Sequence, residues 1–172
     1  ALSAKESGLS EELFKFNDEK PTNSFLYSLV MDTYSMGYSG SSYMDVPMNQ
    51  KIFMAQYECI KKLAEQESCI IVGRCADYIL RENPMCFNVF IHAPLKDRIE
   101  RIMKREHISK AEAMELASKK NKCRANYYNY YTDKEWGAAS SYDLSIDSSK
   151  LGCEATALYI YEFIQKVQKG NS

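Results

Sequence analysis

Phe87-Asn88-Val89-Phe90-Ile91-His92-Ala93 is the stretch that decides the fold. It is short and rich in aromatic and β-branched residues, and a long helical pattern follows it. Two further runs have the same character: Ile70-Ile71-Val72-Gly73-Arg74 and Tyr142-Asp143-Leu144-Ser145-Ile146-Asp147-Ser148-Ser149. Strands of a parallel sheet that is buried on both faces have this composition. The sequence therefore predicts an α/β fold in which the three runs are parallel strands.

Arginine residues follow the first two runs. Gly73-Arg74 ends the first, and Arg98, Arg101 and Arg105 follow the second within one helical pattern. Ligands of parallel sheets bind beyond the carboxyl ends of the strands, so these side chains are suitably placed to meet an anion. The last three recur at spacings of three and four, which puts them on one helix face, where they could clamp a polyphosphate.

Simpler interpretations of these arginines stay open. Arg74 could pair with a nearby carboxylate such as that of Asp77. The helix face could be ordinary solvated surface, because three acidic residues are interspersed with the arginines: Asp97, Glu100 and Glu106. Residues 96–124 nevertheless contain ten Lys or Arg against five Asp or Glu, whereas the whole chain has a net charge of −1. This local excess of positive charge favours anion binding.

Composition excludes several classes of protein. With 172 residues, 45% hydrophobic and 26% charged, the chain is typical of a single globular domain over 1–172. The net charge of −1 argues against general binding to nucleic acid or to a membrane surface. No apolar run approaches the roughly 20 residues that span a bilayer, and no secretory signal opens the chain.

The six cysteines include no Cys-x-x-Cys pair and no zinc-type spacing with histidine. They indicate reduced thiols in a cytoplasmic protein rather than disulfides. His92 lies in a predicted strand and His107 at a predicted helix junction. Neither has neighbours that suggest a general base or a metal ligand, so we expect no metal-binding residue in this chain.

Helical periodicity fills the remainder of the chain. A helix is expected after Ser10, ending at Lys20-Pro21, and a flexible loop or weak hairpin over 34–47. Further helices are expected over 48–66 and after Pro94, with a break near His107, and over 152–168. The last should face the sheet with one apolar side, formed by Ala157, Ile160, Tyr161, Ile164 and Val167.

Residues 104–140, here called the lid, stand between two predicted strands and carry many charges with a weak apolar face. Ser109-Lys110-Ala111-Glu112 has the form of a capping box and predicts a helix start. Tyr127-Tyr128-Asn129-Tyr130-Tyr131 and Trp136 could stack on a base, although hydrophobic packing is the favoured interpretation. This composition is typical of a mobile flap that closes over a ligand.

The ordered set of motifs resembles the cytidylate-kinase-like family of phosphate-loop kinases. The resemblance rests on Ile-Ile-Val-Gly-Arg at 70–74, Phe-Ile-His-Ala-Pro at 90–94 with Arg98 and Arg101, Asn121-x-x-Arg124, and Tyr-Asp-Leu-Ser-Ile-Asp at 142–147. The Asn-x-x-Arg-x-x-Tyr-Tyr segment at 121–128, followed by Trp136-Gly137, is closest to a bacterial branch of that family. The resemblance implies a three-layer phosphate-loop NTPase fold, with a parallel sheet, helices on both faces and a helical lid.

The resemblance also implies transfer of the ATP γ-phosphate to CMP or dCMP with Mg²⁺, with nucleotides as the partners. By position, Arg74 is similar to the arginine near the acceptor nucleotide, with Gly73, Asp77 and Asn121 on the same substrate side. Residues 1–66 would supply part of that side. The implied catalytic residues are Arg124, Arg98 and Arg101. The last two, together with Arg105, would contact the ATP phosphates.

Departures from the family pattern leave a second interpretation open. Asn121 stands where the family usually has Asp, and Cys75 where the family has Asp after Gly-Arg. No Gly-x-x-x-x-Gly-Lys-Ser/Thr loop occurs in the 172 residues, and the first residue is Ala1. We therefore expect a chain that lacks the first strand and the phosphate loop. The alternative to a kinase is a catalytically inert nucleotide-binding or regulatory module with the same fold.

Overall fold

The structure, a computed structural model, describes residues 48–170. The helix expected after Ser10 and the loop over 34–47 lie outside the described residues. The elements are, in order, α1 (Met48–Gln66), α2 (Ala76–Ile79), β1 (Val89–His92), α3 (Leu95–Glu106), α4 (Lys110–Thr132), a 3₁₀ turn (Ala139–Ser141), β2 (Leu144–Asp147) and α5 (Ser148–Gly170). The chain divides into two compact units, Ala1–Ile79 and Leu80–Ser172.

Two of the predicted strands pair in parallel in the second unit. Val89 lies opposite Leu144, and His92 lies opposite Asp147. The helices α3 and α4 form the crossover between them. This confirms a mixed α/β fold with parallel pairing. Between residues 48 and 170 the sheet contains these two strands, so the larger three-layer sheet stays a prediction.

The predicted strand at residues 69–73 is wrong for the described structure. This stretch has no regular secondary structure, and Ile70 and Val72 are 95% and 86% exposed. A strand is completed by hydrogen bonds to a neighbouring strand, and none in the described part of the chain pairs with it. Burial of β1 on both faces is also wrong, because Ile91 is exposed.

The helix α1 has the predicted bounds of 48–66. Its apolar stripe buries Ile52, Phe53, Cys59 and Ile60, at the spacing of one helix face. The short helix α2 buries Ala76 and Ile79 and lies against α1 within the same unit.

The helices α3 and α4 form an antiparallel hairpin, of which α4 and the last three residues of α3 belong to the lid. The backbone of His107 is left-handed and ends α3, and the side chain of Ser109 caps α4, so both predicted boundaries are confirmed. Ile99 of α3 is buried, as are Ala113 and Ala117 of α4. Small side chains such as alanine let two helices approach closely, so Ala113 and Ala117 suit a close contact of α4 with α3.

The predicted packing face of α5 is only partly correct. Ile160, Ile164 and Val167 are half-buried, but Ala157 and Tyr161 are exposed. The buried stripe runs through Thr156, Ile160, Ile164 and Val167, and Ala157 and Tyr161 lie at its edge, about 60° and 100° around the helix from Ile160. Gly152 has a φ of 76° and interrupts the helix, in agreement with the predicted start at 152.

Candidate functional site

The residues predicted to bind nucleotides fall into two groups. Gly73, Arg74 and Asp77 lie in the first unit. The other group lies in the second unit and comprises Arg98, Arg101, Arg105, Asn121 and Arg124. Each group is described within its own unit.

The first group surrounds an unusual turn. Gly73, Arg74 and Cys75 all have left-handed backbones, with φ values of 71°, 58° and 55°. Such a conformation costs about 1–3 kcal/mol for each residue other than glycine. Backbone hydrogen bonds hold the turn: the N–H of Ala76 donates to the carbonyl of Gly73 at 3.1 Å, and that of Ile79 donates to Cys75 at 3.0 Å. A methyl group added to Gly73 would meet no atom within 4 Å, so the space in front of its Cα is open.

The Arg74 side chain is half-buried beside this turn. Its Nη1 nitrogen is buried and has no hydrogen-bond acceptor among the described residues, although the residue has other interactions. Asp77 lies in the first turn of α2 and also has interactions within the chain. The structural interpretation of Arg74 and the nucleotide-binding one both stay open.

In the second group, Arg98 and Asn121 make a direct contact. The Nη2 of Arg98 donates a hydrogen bond of 2.6 Å to the Oδ1 of Asn121. Arg98 lies in the first turn of α3, just beyond the end of β1, and Asn121 lies in the middle of α4. Both side chains are partly buried. The contact therefore joins α4 of the lid to the start of α3, the helix that follows the carboxyl end of β1.

Two further arginines extend from this contact in opposite directions. Arg101 follows Arg98 by one turn on α3, and Arg124 follows Asn121 by one turn on α4, and both are exposed. Because the helices are antiparallel, Arg124 lies toward the end of α3 that follows β1, and Arg101 toward the hairpin turn. The positively charged side chains are thus spread along one stretch of the hairpin that begins beside the sheet.

Arg105 has a different environment from the other arginines. Its Nε lies 2.8 Å from a carboxylate oxygen of Glu106, and both side chains are exposed. Exposed ion pairs contribute about 0–1 kcal/mol, so this pair would yield readily to a more highly charged ligand. Arg105 is nevertheless the predicted site residue for which the solvated interpretation has direct support.

The capping box anchors the start of α4. The Oγ of Ser109 accepts from the N–H of Glu112 at 3.3 Å, and the N–H of Ser109 donates to a Glu112 carboxylate oxygen at 2.9 Å. The Ser109 hydroxyl also donates to that carboxylate at 2.6 Å. The hydrogen bonds from Ser109, first from its side chain and then from its backbone, lower the pKa of Glu112 below its ordinary value of 4.5.

The carboxyl ends of the strands carry polar residues to which the sequence reasoning assigned no role. Asp147 of β2 lies opposite His92 of β1. Hydrogen bonds from the side chain and backbone of Ser149 lower the pKa of Asp147, and the charges of His92 and Lys150 act in the same direction. The Oγ of Ser148 donates to the carbonyl oxygen of His92 at 3.1 Å. The strand register brings His92 and Asp147 opposite each other. The sequence does not show that register, because it depends on the tertiary fold.

The aromatic residues of the lid pack hydrophobically, as the favoured interpretation held. Trp136 and Phe90 form an edge-to-face pair with ring centroids 5.5 Å apart, and the Tyr142 ring lies tilted by 31° against Phe90, with centroids 4.9 Å apart. Tyr127 and Tyr128 are buried. The contact of Trp136 with Phe90 joins the end of the lid to β1.

None of the helices described between residues 48 and 170 is long and apolar enough to cross a membrane. Within the same range, no cluster of three His, Cys, Asp or Glu residues could hold a metal ion.

Comparisons with known proteins point to one family. The profile of the cytidylate kinase-like family matches residues 1–150. The cytidylate kinase of Methanocaldococcus jannaschii is 29% identical over 110 residues, which are 63% of this chain and 62% of that protein. The cytidylate kinase of Pyrococcus abyssi is 35% identical over 88 residues, which are 51% of this chain and 47% of that protein. The match therefore covers less than two thirds of the length of each of these curated relatives.

A solved structure has a similar fold. The crystal structure of an uncharacterized protein from Eubacterium ventriosum is 34% identical in sequence, with a TM-score of 0.65. The match covers 68% of this chain and 74% of that protein. The described arrangement of helices and strands is thus one that occurs in a related crystallised protein.

Proposed function

Because the chain belongs to the cytidylate kinase-like family, as its motifs indicated, we propose that the full-length protein is an ATP-dependent nucleoside monophosphate kinase. The acceptor we propose is a pyrimidine nucleotide, CMP or dCMP. The names of the relatives support this choice of acceptor. The observation that carries the proposal is the contact of Arg98 with Asn121, because it holds a partly buried guanidinium group in the first turn of the helix that follows β1.

The proposed roles divide between the two groups of residues. Arg124, Arg98 and Arg101 would stabilise the transferring phosphate, and Arg98, Arg101 and Arg105 would contact the ATP phosphates. Gly73, Arg74 and Asp77 would contact the acceptor nucleotide. The open space before Gly73 supports close approach of a ligand to that turn.

Phosphoryl transfer requires positioning and charge neutralisation rather than covalent chemistry from the protein. Arginine suits that task, because its planar fork of donors matches phosphate oxygens. ATP and Mg²⁺ are the cofactors we propose. Mg²⁺ is held chiefly by substrate phosphates and one or two carboxylates in such enzymes, and it neutralises phosphate charge there. The arginines of the hairpin offer hydrogen-bond donors to phosphate oxygens. No cluster of metal ligands lies in the described range, so Mg²⁺ would be bound there mainly through the substrate phosphates.

A direct assay tests the proposal. Full-length protein, purified free of contaminating kinases, should convert CMP or dCMP to the diphosphate with ATP and Mg²⁺, and should act more slowly on UMP and AMP. A preference for AMP would overturn the proposed acceptor. Tight nucleotide binding without transfer to any of the four would support the inert module instead.

The cellular setting is also a proposal. All six cysteines are free thiols in the structure, and Cys59 and Cys75 are buried. We propose a cytoplasmic location on that basis, because thiols stay reduced there. A bacterial source stays a prediction, since the cytidylate kinases compared above come from archaea.

A further inference from the structure

The contact between Arg98 and Asn121 has a chemical direction. A guanidinium group contains only hydrogen-bond donors, so the amide must present its oxygen to Arg98. The distance of 2.6 Å from Nη2 to Oδ1 agrees with that orientation. The amide nitrogen of Asn121 then points away from Arg98 and is itself a donor. Together the two side chains offer several donors to a ligand that brings acceptors.

The contact also leaves the charge of Arg98 intact. The amide is neutral, and Arg98 forms no ion pair with any carboxylate in the described range. Nearby positions on α4 are basic rather than acidic: Lys119, Lys120, Lys122 and Arg124. A carboxylate at position 121 would have almost the same shape as the amide but would neutralise Arg98 and lower the local positive potential.

We infer that Asn121 is a positioning residue, which orients Arg98 for the polyphosphate of ATP while leaving its full positive charge available to that ligand. The inference rests on the proposed kinase function and assigns Asn121 to the ATP side of the reaction. That role differs from direct contact with the acceptor nucleotide. The contact lies between the side chains of two helices, α3 and α4, so Arg98 is held from a second element as well as from its own.

Two substitutions separate charge from orientation. In the full-length protein, Asn121→Asp retains the shape and adds a negative charge, and Asn121→Ala removes the oxygen. We expect Asn121→Asp to weaken binding of inorganic tripolyphosphate about tenfold, since it converts a free cation into an ion pair. We expect Asn121→Ala to weaken it about threefold. The matched control is Asn126→Asp, which adds the same charge to an exposed position on another face of α4.

A double-mutant cycle tests whether the effect passes through Arg98. Titration calorimetry with tripolyphosphate would compare Asn121→Asp in the wild-type background and in the Arg98→Ala background. The tenfold loss should shrink to less than twofold when Arg98 is absent. A loss that is unchanged without Arg98, or that Asn126→Asp reproduces, would overturn the inference. Circular dichroism and thermal unfolding confirm that each variant is folded, and Asn121→Ala provides a second test if Asn121→Asp is not.

Kinetics then distinguishes this inference from the proposed function. In an active kinase, both Asn121 variants should raise the KM for ATP and leave the KM for CMP within twofold. A rise confined to the KM for CMP would indicate direct acceptor contact and overturn the positioning role. If no transfer occurs, the kinase proposal fails, and the tripolyphosphate cycle alone still decides whether Asn121 acts through Arg98.

Discussion

Asn88 and Asp143 exchange two hydrogen bonds where the parallel strands begin. The N–H of Asn88 donates to a carboxylate oxygen of Asp143 at 2.7 Å, and the N–H of Asp143 donates to the carbonyl of Asn88 at 2.8 Å. At the other end of the strands, the hydroxyl of Ser148 donates a hydrogen bond to the carbonyl of His92. Hydrogen bonds therefore hold β1 and β2 together at both ends. These hydrogen bonds at both ends set the position of the strand ends, and hence of α3, which begins just after β1.

Replacement of Asp143 by Ala should lower the free energy of unfolding by about 1 kcal/mol, because the exposed N–H of Asn88 loses its charged acceptor. Asp143→Asn is the matched control, since its amide oxygen can still accept this bond. Urea unfolding of both variants measures the difference. Equal losses would mean that the charge, rather than the hydrogen bond, stabilises the strand pair.

Arg124→Ala should lower kcat far more than it raises KM. A lid arginine meets the charge of the transferring phosphate only after closure, so its contribution is made mainly in the transition state. A charged hydrogen bond of about 1.5–3 kcal/mol corresponds to a loss of about ten- to over a hundredfold in kcat. Steady-state kinetics of the full-length protein measures this, with Lys122→Ala on another face of α4 as control. An unchanged kcat with a raised KM would contradict the role.

Arg74→Ala should weaken CMP binding about tenfold or more, because a charged contact with the monophosphate is lost. Arg74→Asn provides a second variant, since asparagine tolerates the left-handed backbone that Arg74 adopts. Arg81→Ala is the control for loss of a positive charge, because Arg81 is exposed and lies 3.7 Å from Glu82. Calorimetric titration measures the affinities. Unaltered binding in both variants would return Arg74 to a structural role.

Gly137→Ala should destabilise the protein by about 1–3 kcal/mol. Gly137 has a φ of 85°, and a methyl group there would lie 3.2 Å from the Cζ of Phe90. Gly73→Ala separates the two causes, because Gly73 also has a positive φ but has open space around its Cα. Thermal unfolding should therefore show a larger loss for Gly137→Ala. A larger loss for Gly73→Ala would indicate that the contact with Phe90 adapts without cost.

The capping box should make stability depend on pH. Because hydrogen bonds lower the folded-state pKa of Glu112 below its ordinary value of 4.5, its stabilising effect is fully present above pH 4.5. That effect is lost as the pH falls through the lowered pKa. Glu112→Gln retains an acceptor oxygen but does not titrate. The difference in unfolding free energy between wild type and Glu112→Gln should be constant above about pH 5 and change below it. A constant difference down to pH 3 would contradict the lowered pKa.

Local signals explain which parts of this structure could be predicted. The box of Ser109 and Glu112 and the break at His107 lie within a few residues of each other, and the stripe of α1 repeats every turn. Such features need no knowledge of distant neighbours. The boundaries of these helices were therefore predicted to within a residue or two.

Non-local structure explains the failures. The run at Ile70 has strand composition, but a strand also needs a neighbour, and composition does not show whether one is present. The contact of Arg98 with Asn121 joins positions 23 residues apart and depends on how closely Ala113 and Ala117 let the helices approach. Sequence reasoning placed both residues in the site but gave no sign that they touch.

Trp136 has a practical consequence for studies in solution. It is the one tryptophan of the 172 residues, and it lies edge-on against Phe90, where the segment after α4 returns to the sheet. Indole emission responds to the polarity and packing of its surroundings, so separation of these two rings would shift the spectrum. The protein thus contains its own optical reporter, and stopped-flow fluorescence could time the movement of this segment without an attached dye.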